Sequence, residues 1–97
     1  MPNPSMCKIE FSENNNVGND VIIIRNLLSM TQEQLAKCLH ISRATLSKLE
    51  RSDNSDIGDQ DLFRIYYLCQ EIIDNKQLPN YIREKANQLK DRIKLIL

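Results

Sequence analysis

Residues 31–51, TQEQLAKCLHISRATLSKLER, constrain what this chain can fold into more than any other stretch. Leu35, Ala36 and Leu39 recur at helical spacing, and so do Leu46 and Leu49 after a short break. Thr31 is placed to cap the first segment, because its hydroxyl can accept the amide of Gln34 while the Gln34 side chain returns to the Thr31 amide. His40, Ile41 and Ser42 form the break, with Ile41 as an apolar anchor and Ser42 as the cap of a second helix from Arg43 to Arg51. Ala36 is small where two helices must approach closely. Helices this short are unstable alone, so each has to bury its apolar stripe on a neighbour. The second helix then presents Arg43, Ala44, Ser47 and Lys48 outward, a face of small and basic side chains.

The remaining totals fit a small helical domain. Ninety-seven residues make one domain, with room for a tail or arm, and two glycines and no tryptophan argue against a turn-rich β fold. The formal net charge is zero, yet the charge is segregated. Residues 25–51 hold Arg25, Lys37, Arg43, Lys48 and Arg51 against only Glu33 and Glu50. Residues 52–74 hold Arg64 against Asp53, Asp56, Asp59, Asp61, Glu71 and Asp74. A weak long-range field with a locally positive contact face follows. Cys7, Cys38 and Cys69 are odd in number and lack a CxxC spacing, so neither a disulfide framework nor a zinc site is signalled. Cys38 and Cys69 fall within apolar helical patterns and are expected in the core. One histidine, no glycine-rich phosphate loop and no spaced metal-ligand set point away from an enzyme, a metal or a cofactor. The N-terminus lacks the apolar run of a secretory signal, and the chain is expected to be cytoplasmic.

Along the chain, residues 1–18 read as an arm and loop. Ile9 and Phe11 alternate with polar residues over 6–11, which supports either a short strand or an extended arm, with a disordered leader as the alternative. Residues 19–76 read as the central domain. Its first helix is expected to start at a cap on Asn19 or Asp20 and run to about Leu28. Val21, Ile24, Leu27 and Leu28 form one face, and Ile22 and Ile23 give it a second contact with the arm or the C-terminal segment. Asp59 is expected to cap a further helix through about Asp74, with Leu62, Ile65, Tyr66, Leu68, Cys69 and Ile72 directed inward. Residues 77–97 read as a C-terminal helix starting near Pro79. Its Ile82, Ala86, Leu89, Ile93 and Ile96 are spaced four, three, four and three, a heptad seam expected to pair two copies, with packing onto the domain of the same chain as the alternative.

At Thr31-Gln32, Leu35-Ala36, Ile41-Ser42, Leu46-Ser47 and Leu49-Glu50-Arg51, preceded by Arg25, the chain resembles the lambda-repressor-like (Cro/CI, XRE) helix-turn-helix family. The resemblance covers roughly half the chain. It implies an all-α fold: a compact five-helix domain, here with an extra C-terminal helix and a short N-terminal arm or strand. It implies double-stranded DNA as partner, with Arg43, Ala44 and Lys48 facing base edges and Gln32, Ser42, Thr45, Ser47 and Arg51 reaching phosphates or nearby bases. Arg25 and Glu50 match a charged pair that ties the first helix to the reading helix. Two positions depart from the family pattern, His40 at the turn and Ser52 after Arg51, where glycine is usual.

The function implied is a sequence-specific transcriptional regulator of bacterial, phage or plasmid origin, most simply a repressor, binding an inverted-repeat operator as a homodimer. Two-fold pairing would set the reading helices about 34 Å apart. The competing expectation is the same fold used as a protein-binding module, an antirepressor, inhibitor or antitoxin-like partner, which the neutral charge and the acidic run favour.

Overall fold

The computed structural model describes residues 16–52 and 57–97. These form five helices and no strand: α1 (Val17–Leu27), α2 (Gln32–Leu39), α3 (Arg43–Arg51), α4 (Asp59–Asp74) and α5 (Asn80–Ile96). The expected arm or strand at residues 6–11, Cys7, and the acids Asp53 and Asp56 lie outside the described residues. The C-terminal helix is the fifth helix among the described residues.

α1 starts earlier than expected. Its cap is Asn16, whose Oδ1 accepts the amide of Asn19 at 2.8 Å, so Asn19 and Asp20 belong to the first turn. The reason is the buried stripe: Val17, Val21 and Ile24 extend the helical period one turn upstream. Asp20 falls on that stripe and is claimed by charge rather than by capping. At the other end, Ser29 takes φ 58°, and the amides of Ser29 and Met30 close on the carbonyls of Asn26 and Arg25, both at 3.0 Å. That is the double bond pattern of a left-handed helix stop.

α2 and α3 follow the reading of their residues. Thr31 Oγ1 accepts the Gln34 amide at 3.1 Å and Gln34 Oε1 accepts the Thr31 amide at 2.9 Å. His40 adopts φ 61°, ψ 39°, and the Ile41 amide reaches back to Ala36 O at 3.0 Å. Ser42 Oγ accepts the Thr45 amide at 3.0 Å. α4 is capped differently from expectation. Gly58 is the N-cap and makes no side-chain bond, while Asp59 is the first helical residue, where its carboxylate meets the positive end of the helix dipole.

The core draws on every helix, with Val21, Ile24, Leu35, Leu39, Leu46, Leu49, Leu62, Ile65, Cys69, Leu89 and Ile93 all buried. Each large aliphatic side chain so buried contributes about 1.5–3 kcal/mol before entropy is counted. Tyr66 and Leu68 stand at the margin of this core. Cys69 is buried as expected, whereas Cys38 is exposed. α2 buries Leu35, Ala36 and Leu39, and the residue immediately before Leu39 turns away from that stripe.

α5 runs antiparallel to α4. Arg83 Nε donates to Ile73 O at 3.0 Å near one end, and Lys90 Nζ reaches Gln70 Oε1 at 2.7 Å farther along. The heptad residues Ile82, Ala86, Leu89 and Ile93 are all buried within the single chain. This corrects the expectation that the seam pairs two copies, since a surface that binds a second chain must be free in the first. Only Ile96 of the five remains open, at 37 % exposure. The seam is the face by which α5 closes the core.

Candidate nucleic-acid interface

α3 is held by a charged clamp on its inner side. Glu50 is buried, 7 % exposed, and its carboxylate receives three donors. Arg25 Nε lies 2.8 Å from Oε2, Arg25 Nη2 lies 3.3 Å from Oε1, and Gln32 Nε2 lies 2.8 Å from Oε1. Arg25 also donates through Nη1 to Met30 O at 3.2 Å. One guanidinium therefore joins α1, the α1–α2 connection and α3. A buried carboxylate so fully bonded fixes orientation more than it adds stability, because desolvation offsets much of the attraction.

The same clamp sets what Gln32 can do. It stands at the first position of α2 and is half-buried, with its amide nitrogen committed to Glu50. Its brace to the reading helix is direct.

On the outer side of α3, Arg43, Ala44, Lys48 and Arg51 are exposed, while Leu46, Leu49 and Glu50 are buried. Helical geometry makes the exposed set one continuous stripe along a helix about 13 Å long. Ser42 and Thr45 are less free than they look in sequence. Ser42 Oγ donates to Thr45 Oγ1 at 2.8 Å besides capping the helix, which leaves the Thr45 hydroxyl hydrogen for an outside acceptor. Ser47 is half-buried beside the stripe. Arg43 shares a shallow depression with Arg25, Thr31, Gln32 and Glu33, so the starts of α2 and α3 open onto one surface. Each start offers backbone N–H groups with a positive partial charge, suited to an anion. At the far end Ser52 Oγ donates to Lys48 O at 2.7 Å and finishes the helix.

Three contributors escape a reading of the sequence. Gly18, read there as part of a loop, lies in α1 where a Cβ would come 2.6 Å from Leu49 O, 2.9 Å from Ser52 O and 3.0 Å from Glu50 O. The carbonyl end of α3 therefore rests directly on α1. Asp61 lines a groove with Thr45, Lys48 and Ser52, which brings one acid of the acidic run beside the reading helix. Asp20, 1 % exposed, holds Lys85 Nζ on Oδ1 and Arg92 Nε on Oδ2, each at 2.8 Å. The signal for Asp20 was present, since positions 17, 20, 21 and 24 share a face; its partners more than sixty residues away were not.

Described as helix-turn-helix, a family model matches residues 21–65, from within α1 to within α4. Residues 21–65 belong to the lambda-repressor-like helix-turn-helix family. No curated protein and no solved structure matches the chain. The helix-turn-helix family is one of DNA-binding regulators, not generally of enzymes. α5 lies beyond the matched segment, although it supplies part of the domain's core. Among the described residues no group of three or more His, Cys, Asp or Glu side chains is placed to hold a metal ion. No described helix is long and apolar enough to cross a membrane.

Proposed function

We propose that this chain is a sequence-specific transcriptional repressor that binds double-stranded DNA as a homodimer, with α3 as its reading helix. The observation that carries this is the two-sidedness of α3: a clamped, buried inner face and an outer stripe of Arg43, Ala44, Lys48 and Arg51. Inserted in a major groove, Arg43 is the side chain for the bidentate guanine contact, and Ala44 packs on a thymine methyl. Lys48 reads a neighbouring base edge. Thr45, Ser47 and Arg51 hold the flanking phosphates and set the register, Ser42 acts through the Thr45 hydroxyl that it orients, and Gln32 offers the one Nε2 hydrogen that Glu50 leaves it. A pair of such units recognises an inverted repeat with half-sites about one helical turn apart, and occupying that site over a promoter is repression in its simplest form.

The Asp61 carboxylate beside Lys48 tempers this face. It disfavours phosphate nearby and leaves a larger share of the binding energy to base contacts, so random duplex should bind weakly. Selecting bound sequences from a random duplex pool, followed by anisotropy titrations across salt, tests the proposal. Affinity for the selected site should fall steeply with salt, and Arg43→Ala with Lys48→Ala should each weaken it by about 1–3 kcal/mol. Binding that ignores both substitutions, or a flat salt response, would move the outer face of α3 to a protein partner.

A further inference from the structure

With the heptad seam used inside the chain, α4 still presents two open aromatic side chains on one face. Phe63 is 48 % and Tyr67 64 % exposed, one helical turn apart. Tyr67 is held in place: its ring meets Tyr66 edge-on, with centroids 5.9 Å apart, and Lys90 sits 5.6 Å from the centre of the Tyr66 ring. Beside it runs a groove between α4 and the end of α2, lined by Leu39, Arg64, Tyr67, Leu68 and Glu71 and about 260 Å³ in volume. Arg64 and Glu71 stand on either side of Tyr67 along the helix, and Arg64 Nη1 is steadied by Leu39 O at 3.3 Å.

We propose that this face of α4 is a self-complementary contact for a second copy of the chain, in which Phe63 of each copy enters the groove of the other. The pattern on the helix supplies the reason. When two α4 helices cross antiparallel at Tyr67, residues the same distance before and after Tyr67 come opposite each other, as any two-fold contact requires. Phe63, four residues before, then faces the level of Glu71, four residues after, which is one end of the groove that runs from Arg64 to Glu71. Arg64 of each copy comes within one residue's rise of Glu71 on the other, so positive meets negative twice. A different protein would have to supply a knob, a groove and both charges in the same register, whereas a second copy has them by symmetry. The contact gives the pairing proposed above a location, and it rests on that reading only for its use in DNA binding.

Association is measured without DNA, by sedimentation equilibrium of the full chain over a concentration series. The wild type should form a reversible dimer. Tyr67→Asp, on an exposed position, should raise the dimer Kd at least tenfold with an unchanged circular dichroism spectrum. Arg64→Glu and Glu71→Arg should each weaken pairing, and the double reversal should recover it, a response that a merely structural role for either residue does not give. A wild type that stays monomeric, a dimer indifferent to Tyr67→Asp, or a double reversal no tighter than the singles overturns the proposal. Titration of a single half-site duplex with the Tyr67→Asp chain keeps the two readings apart. If the half-site fails to bind either chain while wild-type pairing stands, the DNA reading falls and the α4 contact does not.

Discussion

His40 shows how one residue bears a local cost for the architecture. The turn between α2 and α3 needs a left-handed residue, and His40 supplies it at φ 61°. An L side chain there costs about 1–2 kcal/mol, although histidine is among those found in this region more often than most. Glycine removes that strain but adds freedom to the unfolded chain, worth about 0.4–1 kcal/mol in the other direction. His40→Gly should therefore stabilise the domain by about 0.5–1 kcal/mol, read as a higher urea midpoint at unchanged slope; a lower midpoint would mean that the imidazole does something the turn alone does not need. The two cysteines of the described helices differ just as sharply. Cys69 is buried, and burial first, then the nearby Asp20 charge, push its thiol up to about 12 against a smaller opposing pull from Lys90, so it stays protonated and inert. Cys38, on the outer side of α2, has no such cover.

At the scale of elements, the reading helix depends on what lies behind it. α3 is nine residues long, too short to persist alone, so its geometry comes from the Arg25–Glu50–Gln32 clamp and from contact with α1. Gly18 makes that contact possible. Helix propensity by itself says that Gly18→Ala, at the second position of α1, should gain up to about 1 kcal/mol. The packing says otherwise, because the new methyl meets three backbone carbonyls at 3.0 Å or less, and backbone cannot step aside as a flexible side chain can. We expect a net loss of about 1–3 kcal/mol, seen as a fall of roughly 4–8 °C in Tm per kcal/mol. A gain in Tm would mean that α1 and α3 sit farther apart than the structure has them.

For the whole molecule, the decisive feature is how α5 joins the family segment. It closes the core with Ile82, Ala86, Leu89 and Ile93, and it is pinned to α1 by Lys85 and Arg92 on the buried carboxylate of Asp20. The two cations keep about a fifth of their side-chain surface in water, so they can turn outward when the carboxylate is removed. Asp20→Ala should then cost about 2–3 kcal/mol, below the 3–5 typical of a broken, fully buried pair. Lys85→Ala should cost less, since Arg92 still satisfies Asp20. Urea unfolding of the two variants checks the order, and equal or reversed costs would show that the triad is not what seats α5. Within the zero net charge, Arg25 with Glu50 and Asp20 with Lys85 and Arg92 hold helices together, while the outer stripe of α3 stays basic.

How much of this was legible without a fold depends on the range of the interaction. The capping box at Thr31, the Ser42 cap and the apolar stripe of α2 and α3 are set by residues within four or five positions of each other. Local hydrogen bonding and helical period decide them, and the sequence carries that information directly. The outer stripe from Arg43 to Arg51 was legible for the same reason, because whatever a short helix does not bury it shows. Periodicity could not say what covers a stripe once it is found. The heptad of α5 reads equally well as a seam for a second chain, and only the position of α4 alongside it turned it inward. Nor could it tell that Asp20 meets charges more than sixty residues on, that Gly18 is a contact rather than a loop, or that Asp61 comes to lie beside Lys48. Those are distances between helices, and they exist only after the chain has chosen which faces to bury.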